Sequence, residues 1–181
     1  MRGLFSILAV FALSIGSTVA QQDDVHKVES RYFKNLYRIN DSIYRSEQPS
    51  KKGFRELEAL GIKTIINLRR LKEDNKKAKG TDLQLKKIPL RAAKMVEADI
   101  NNVLHIIQVS EKPALIHCWH GSDRTGVIIA AYRVVVENWE KERAIREFKR
   151  KEFGYHERWY PNLLELISNL NEDGIRGKLG I

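Results

Sequence analysis

Thiols are almost missing from this chain: one cysteine, Cys118, stands among 181 residues. That excludes an intrachain disulfide, and in an oxidising compartment it leaves the thiol without a resolving partner. A lone cysteine is also consistent with protecting a reactive thiolate from wrong pairing. No zinc-ligand set and no ribonucleoprotein-type aromatic pattern occurs, so no nucleic-acid partner is expected. Internal repeats and low-complexity blocks are absent. The apolar run at the front, Leu4 to Ile15, falls short of the roughly 20 residues that a membrane span needs.

What is present divides the chain in two. Arg2 precedes that apolar run, and Gly16-Ser17-Thr18-Val19-Ala20 follows it, ahead of Gln21 and Gln22. A short apolar core ending in small residues, with Thr18 and Ala20 at cleavage positions, predicts a secretory signal peptide over residues 1–20. The product is then exported, periplasmic or secreted; the alternative reading is an uncleaved anchor. No cysteine stands near Ala20, which excludes a lipoprotein. Residues 21–33 are polar and expected to be flexible. With 43% hydrophobic and 30% charged residues, the chain suits one globular domain with a sizeable core, placed at 34–175. Lysine and arginine number 32 against 23 acidic residues, a net charge of +9. That balance favours anionic partners, here phosphorylated substrates; contact with an acidic membrane surface is compatible but not required.

Leu36 to Ile39 and Ile43 to Arg45 read as short β-runs around the turn Asn40-Asp41-Ser42. Ser50 is placed to cap a helix with Phe54, Leu57 and Leu60 on its apolar face, stopped by Gly61. Lys63 to Leu68 reads as a buried parallel strand, Lys72 to Gly80 as a charged surface stretch, and Asp82 to Ile88 as a further strand. Ile100, Val103, Leu104 and Ile107 give an amphipathic helix that ends before Pro113. Val127 to Val136 is apolar nearly all round, a central helix. Ala144, Ile145 and Phe148 mark a helix packed on it, and Leu163, Leu164, Ile167 and Leu170 a last one. Strands alternating with helices predict an α/β domain with a central, largely parallel sheet of about four to five strands, flanked by helices. Its ligand site is expected at the carboxyl ends of the strands.

One stretch fits that place: Ile116-His117-Cys118-Trp119-His120-Gly121-Ser122-Asp123-Arg124-Thr125-Gly126. An apolar run before it and an apolar helix after it make it a strand, a tight loop and a helix N-terminus. Backbone N–H groups of such a loop, from Trp119 through His120, Gly121, Ser122 and Asp123 to Arg124, can ligate a tetrahedral anion, and the helix dipole adds positive potential. Arg124 adds a planar charged fork that holds two phosphate oxygens. A thiol beside cations at a helix N-terminus ionises readily. Cys118 therefore reads as a nucleophile aimed at phosphorus. Gly121 permits the backbone inversion, and Gly126 permits close helix packing. His117 is placed to orient the loop or donate toward it, and the Thr125 hydroxyl to stabilise the departing sulfur.

The order His117-Cys118-x5-Arg124-Thr125-Gly126 resembles the signature of the cysteine-dependent protein tyrosine and dual-specificity phosphatases. Tyr44-Arg45-Ser46-Glu47-Gln48-Pro49 and the run from Leu57 to Arg69 resemble the compact atypical dual-specificity branch, which has exported bacterial members. The resemblance implies a phosphatase that needs no cofactor and no metal, with a phosphorylated protein, above all phosphotyrosine, as substrate. Rhodanese-like sulfur transfer also uses a cysteine loop, but this order argues against it. Tyr44 and Arg45 reach the site rim or build the first hairpin.

The chain departs from the family pattern at the general acid, commonly an aspartate shortly after a proline upstream of the cysteine. Here Pro89 is followed by Leu90-Arg91-Ala92-Ala93-Lys94. Glu97 and Asp99 come later, at what reads as the first turn of the next helix, where acids are common. Asp123, next to Arg124, gives a loop resembling that of myotubularin-type phosphoinositide phosphatases, whose loop aspartate is the proposed acid. Asp123 is therefore the candidate acid, with Glu97 and Asp99 the alternative and a loop-bracing acceptor the structural role. Asp123, together with Lys86, Lys87, Arg91 and Lys94, also supports an inositol phosphate or phosphoinositide substrate. The missing loop aspartate supports a third reading, a phosphate-binding module with little turnover.

Overall fold

The computed structural model describes residues 25–181, so the stretch 1–20, read above as a signal peptide, lies outside the described residues. Its strands are β1 (His26–Lys27), β2 (Tyr37–Arg38), β3 (Ile43–Ser46), β4 (Thr64–Arg69), β5 (Gln84–Leu90) and β6 (Ala114–His117). Its helices are α1 (Lys51–Ala59), α2 (Asn75–Ala78), α3 (Glu97–Val109), α4 (Asp123–Val135), α5 (Lys141–Phe148), α6 (Asn162–Ser168) and α7 (Glu172–Leu179). The strands form one sheet in the order β1-β2-β3-β6-β4-β5. The pairs β3–β6, β6–β4 and β4–β5 are parallel, while β1–β2 and β2–β3 are antiparallel.

Two-residue periodicity explains how the sheet is covered on both faces. In β4, Ile65 packs with Phe54 and Leu57 of α1, while Ile66 and Leu68 face the larger cluster built on α3 and α4. In β6, Leu115 joins the α1 side, and Ala114 and Ile116 the other. Both strands are buried along their whole length, as expected of parallel strands sandwiched between helices. Helix α4 is the axis of the larger layer: every residue in it except Arg124 is buried. Gly126 lets α5 approach it, since a Cβ there would sit 2.3 Å from the Phe148 ring. Arg133, buried within α4, is neutralised by a two-point contact with Glu147 at 3.1 and 3.0 Å.

Four sequence expectations need correcting. The stretch 21–33 is not uniformly flexible. His26–Lys27 pairs with Tyr37–Arg38, Val28 N–H donates to Leu36 O at 3.0 Å, and Phe33 is buried against α1. At the other end α7 runs past residue 175, burying Ile175 and Leu179. Leu60 is exposed at the C-cap of α1, because that helix buries Phe54 and Leu57 and has already turned. The stretch 72–80 is not purely surface: Asp74 is buried, for a reason that the site makes plain.

Candidate active site

Register sets the site. Ser46 of β3 and Asn67 of β4 both align with His117, the last residue of β6. The loop 118–122 therefore emerges between the loops that follow two parallel neighbours, at the carboxyl edge of the sheet. Those neighbours hold its carbonyls. Gln48 N–H donates to Trp119 O at 3.1 Å, Asn35 Nδ2 to His120 O at 2.8 Å, and Arg45 Nη2 to Gly121 O at 2.6 Å. A planar trans peptide points its N–H opposite its C=O. Fixing three carbonyls outward thus turns the N–H groups of His120, Gly121 and Ser122 into the ring. Gly121 has φ +74°, and a Cβ there would lie 2.5 Å from the Ser46 backbone, so both conformation and space require glycine.

Buried polar residues brace this loop from below. Arg45 is fully buried with its guanidinium 4.0 Å from the centre of the Phe153 ring, and burial pushes its pKa down to about 10. It is a loop support and not a rim residue. His117 is held between two acceptors, with Nε2 2.8 Å from Asp74 Oδ2 and Nδ1 3.0 Å from Cys118 O. Asp74 is the partner that fixes the ring, which is why it leaves the charged surface. Arg69 lies over the Trp119 ring at 4.3 Å; burial lowers its pKa, and the neighbouring Asp74 carboxylate works the other way.

Cys118 is buried at the end of β6. Arg124 Nη1 reaches Leu68 O and Leu90 O at 3.4 and 3.5 Å, while Arg124 Nε and Thr125 Oγ1 are buried without a protein partner. Two orphaned polar atoms beside inward-turned amides fit an anion and a departing sulfur. Three clefts meet at Arg124. One of about 410 Å³ is lined by Arg70, Arg91, Ala92 and Ala93; one of about 320 Å³ by Trp119, His120, Asp123, His156, Trp159 and Tyr160; one of about 260 Å³ by Arg69, Arg70 and Trp119.

The candidate acids separate cleanly. Asp123 lines the second cleft; its Oδ1 accepts the His156 backbone N–H at 2.9 Å, and Oδ2 lies 3.0 Å from His156 Nδ1. Glu97 accepts from Asn171 N at 3.0 Å and Asp99 from Val96 N at 3.0 Å; neither lines these clefts. Of the four further cations, Arg91 lines a cleft, Lys87 pairs with Glu73, and Lys86 and Lys94 line none of the three.

With this geometry in view, residues 32–173 match the sequence model of the tyrosine phosphatase family. The chain belongs to the tyrosine phosphatase family. It is 35% identical over 123 residues to the dual specificity protein phosphatase TpbA of Pseudomonas aeruginosa, covering 66% of this chain and 56% of TpbA. It is 28% identical over 127 residues to the inositol diphosphatase DSP5 of Arabidopsis thaliana, covering 64% and 61%. The chain thus spans little more than half the length of these relatives. A crystal structure of P. aeruginosa TpbA in complex with pTyr superposes with a TM-score of 0.79 at 27% identity, over 89% of this chain and 98% of that one. The catalytic core of the yeast PP-IP phosphatase SIW14 shares the fold, with a TM-score of 0.69 at 24% identity over 81% and 91% of the two chains.

Within this tyrosine phosphatase fold, His117 ends β6, Cys118 opens the loop, and Asp123, Arg124 and Thr125 form the first turn of α4, so the five residues flank the loop 118–122. Missing from the sequence reading were Asp74, His156 and Trp159. The segment Gly154-Tyr155-His156-Glu157-Arg158-Trp159-Tyr160, unusually rich in rings, carried a signal that periodicity does not register.

Proposed function

We propose that the chain hydrolyses phosphate monoesters through a cysteinyl-phosphate intermediate, with protein phosphotyrosine as the leading substrate. The Cys118 thiolate attacks phosphorus, and the bond to the leaving oxygen breaks as Asp123, hydrogen-bonded to His156, gives that oxygen a proton. The inward amides and the Arg124 fork hold the three equatorial oxygens. Water, losing its proton to the Asp123 carboxylate, then attacks phosphorus and releases the thiolate, which the Thr125 hydroxyl stabilises. The observation that carries this reading is the set of three outward-tied carbonyls around Cys118, with Arg124 Nε unpaired beside it.

An aryl substrate is supported by the rim. Trp119 and Trp159 are exposed and both line the cleft that holds Asp123, suiting a flat ring. TpbA, the pTyr-bound relative, supports the same class. A second reading, an inositol phosphate, is favoured by Arg70 and Arg91 beside Arg124 and by the relatives named inositol diphosphatases. The leader-like residues 1–20 support export, with phosphoproteins outside the cytoplasm as partners.

A panel of phosphotyrosyl peptides and inositol phosphates, run on the wild type and Cys118→Ser, tests the proposal. Peptide turnover above inositol phosphate turnover is expected, with none in the variant. Turnover by Cys118→Ser beyond contamination controls would rule out the covalent mechanism; a reversed preference would replace phosphotyrosine by inositol phosphate.

A further inference from the structure

Two histidines with no part in the Cys118 attack converge on Asp123. His156 Nδ1 lies 3.1 and 3.0 Å from the two carboxylate oxygens, and the His120 ring is 5.6 Å from the His156 ring, centre to centre. One ligand-capable atom from each of the three residues lies within 4.8 Å of the others. A hydrogen bond explains the approach of His156 to Asp123. It does not explain His120, which is exposed and yet sits against the pair.

Two imidazole nitrogens and a carboxylate oxygen suit a borderline cation of the zinc class, whereas magnesium and calcium prefer oxygen alone. Bonds of about 2.0 Å around tetrahedral zinc put neighbouring donors about 3.3 Å apart. The Asp123–His156 contact therefore opens by only a few tenths of an ångström, and exposed His120 closes the remaining gap by rotating. Trp159 stacks on His156 at 5.2 Å and 12° and orients that imidazole, whereas Trp119 meets exposed His120 only edge-on at 6.2 Å and 84°, which leaves the His120 ring room to turn.

We propose that His120, Asp123 and His156 bind a zinc-class divalent cation at the rim of the anion-binding loop, with solvent in the fourth position. The bound cation stops ester hydrolysis, because it holds Asp123 as a ligand and fills the cleft on the leaving-group side. Binding depends on these three side chains alone; only the inhibition rests on the phosphatase reading above.

The test titrates the full chain with Zn²⁺ by calorimetry and with Co²⁺ by visible absorption. The proteins are the wild type, Cys118→Ser, His120→Ala and His156→Gln. Cys118→Ser removes the soft ligand that competes for these ions. One equivalent is expected to bind to the wild type and to Cys118→Ser, with a tetrahedral Co²⁺ spectrum. Either histidine substitution should weaken binding at least about tenfold. His120 is exposed, so its truncation reports ligation without threatening the fold, and unchanged thermal unfolding checks this. Zn²⁺ at the concentration that saturates the site should abolish aryl phosphate turnover by the wild type, reversibly with a chelator, and His120→Ala should need at least about tenfold more. Equal sensitivity of the two would place the inhibiting ion on Cys118 and overturn the inhibition. Binding lost in Cys118→Ser, binding unweakened in both histidine variants, or no saturable binding by the wild type each overturns the site. Zn²⁺ bound by the triad with undiminished turnover overturns the inhibition. A metal-free wild type without any turnover counts against the phosphatase reading and leaves the binding result standing.

Discussion

Arg124 is the one residue of α4 that the packing leaves half-buried, and Asp123 beside it is buried, so neighbours in sequence are split between the substrate side and the protein side of the loop. The split gives Asp123 a double character. Its carboxylate braces the segment after α5 through the His156 N–H, and it also lines a cleft leading to Arg124. If it protonates the leaving oxygen, Asp123→Asn should slow phosphotyrosyl and alkyl esters by about 10²–10⁴-fold. Activated aryl phosphates, whose leaving oxygen needs little protonation, should lose far less. Equal losses on both, with weaker vanadate binding, would make Asp123 a brace alone. Glu97→Gln and Asp99→Asn should leave the leaving-group dependence as it is, because their carboxylates are engaged with Asn171 and Val96 N–H groups away from the clefts. At this scale the sequence was eloquent about Cys118, Gly121 and Arg124, whose types are hard to place otherwise. It was silent about their supports: Asp74 reaches His117 across 43 residues, and a polar contact over that distance leaves no periodic trace.

Strand, loop and helix at β6–α4 work as a unit because the helix is locked before it begins to carry chemistry. Ser122 O accepts the Gly126 N–H at 2.7 Å, and Gly126 in turn admits the Phe148 ring of α5. Alanine at 126 would gain roughly 1 kcal/mol of helix propensity. Its Cβ, however, would stand 2.3 and 2.5 Å from two Phe148 carbons, an overpacking that costs about 1–3 kcal/mol and pushes the start of α4 off the loop. Gly126→Ala is expected to lower the unfolding midpoint and weaken vanadate binding. Gly126→Ala with Phe148→Leu should recover part of both, a coupling that a double-mutant cycle measures; strictly additive effects would refute the contact. The elements legible in the sequence were those with a strong period or a continuous apolar run: β4, β6, α3 and α4. Illegible were β1, whose two residues are too few to show alternation, and α7, whose buried Ile175 and Leu179 sit among charged and glycine residues. The antiparallel end of the sheet was hidden only at β1: β2 and β3 fall on the two short runs around Asn40-Asp41-Ser42, and their antiparallel pairing follows from that turn.

Across the whole molecule the net charge of +9 is not spread evenly: Arg69, Arg70 and Arg91 line the clefts that meet at Arg124. Low-dielectric walls around like charges focus potential, and such fields raise encounter rates with oppositely charged ligands by about 10–10³-fold. The outer cations act through solvent and are screened, whereas Arg124, held against Leu68 O and Leu90 O at the base of the clefts, acts at contact range. Encounter and chemistry should therefore respond differently to salt. Between about 0.01 M and about 1 M salt the Debye length falls from about 30 Å to about 3 Å. Over that range kcat/KM for a phosphotyrosyl peptide is expected to drop by about tenfold or more, while kcat stays nearly constant. Arg91→Ala should flatten the slope of log kcat/KM against log salt, more steeply for an inositol polyphosphate than for the peptide, because the polyphosphate spans both arginine-lined clefts. Steady-state kinetics at a series of sodium chloride concentrations reads both effects. A kcat/KM that ignores salt would show that the basic surface only solvates the protein, and a kcat falling in parallel would place the screened charges in the chemical step itself.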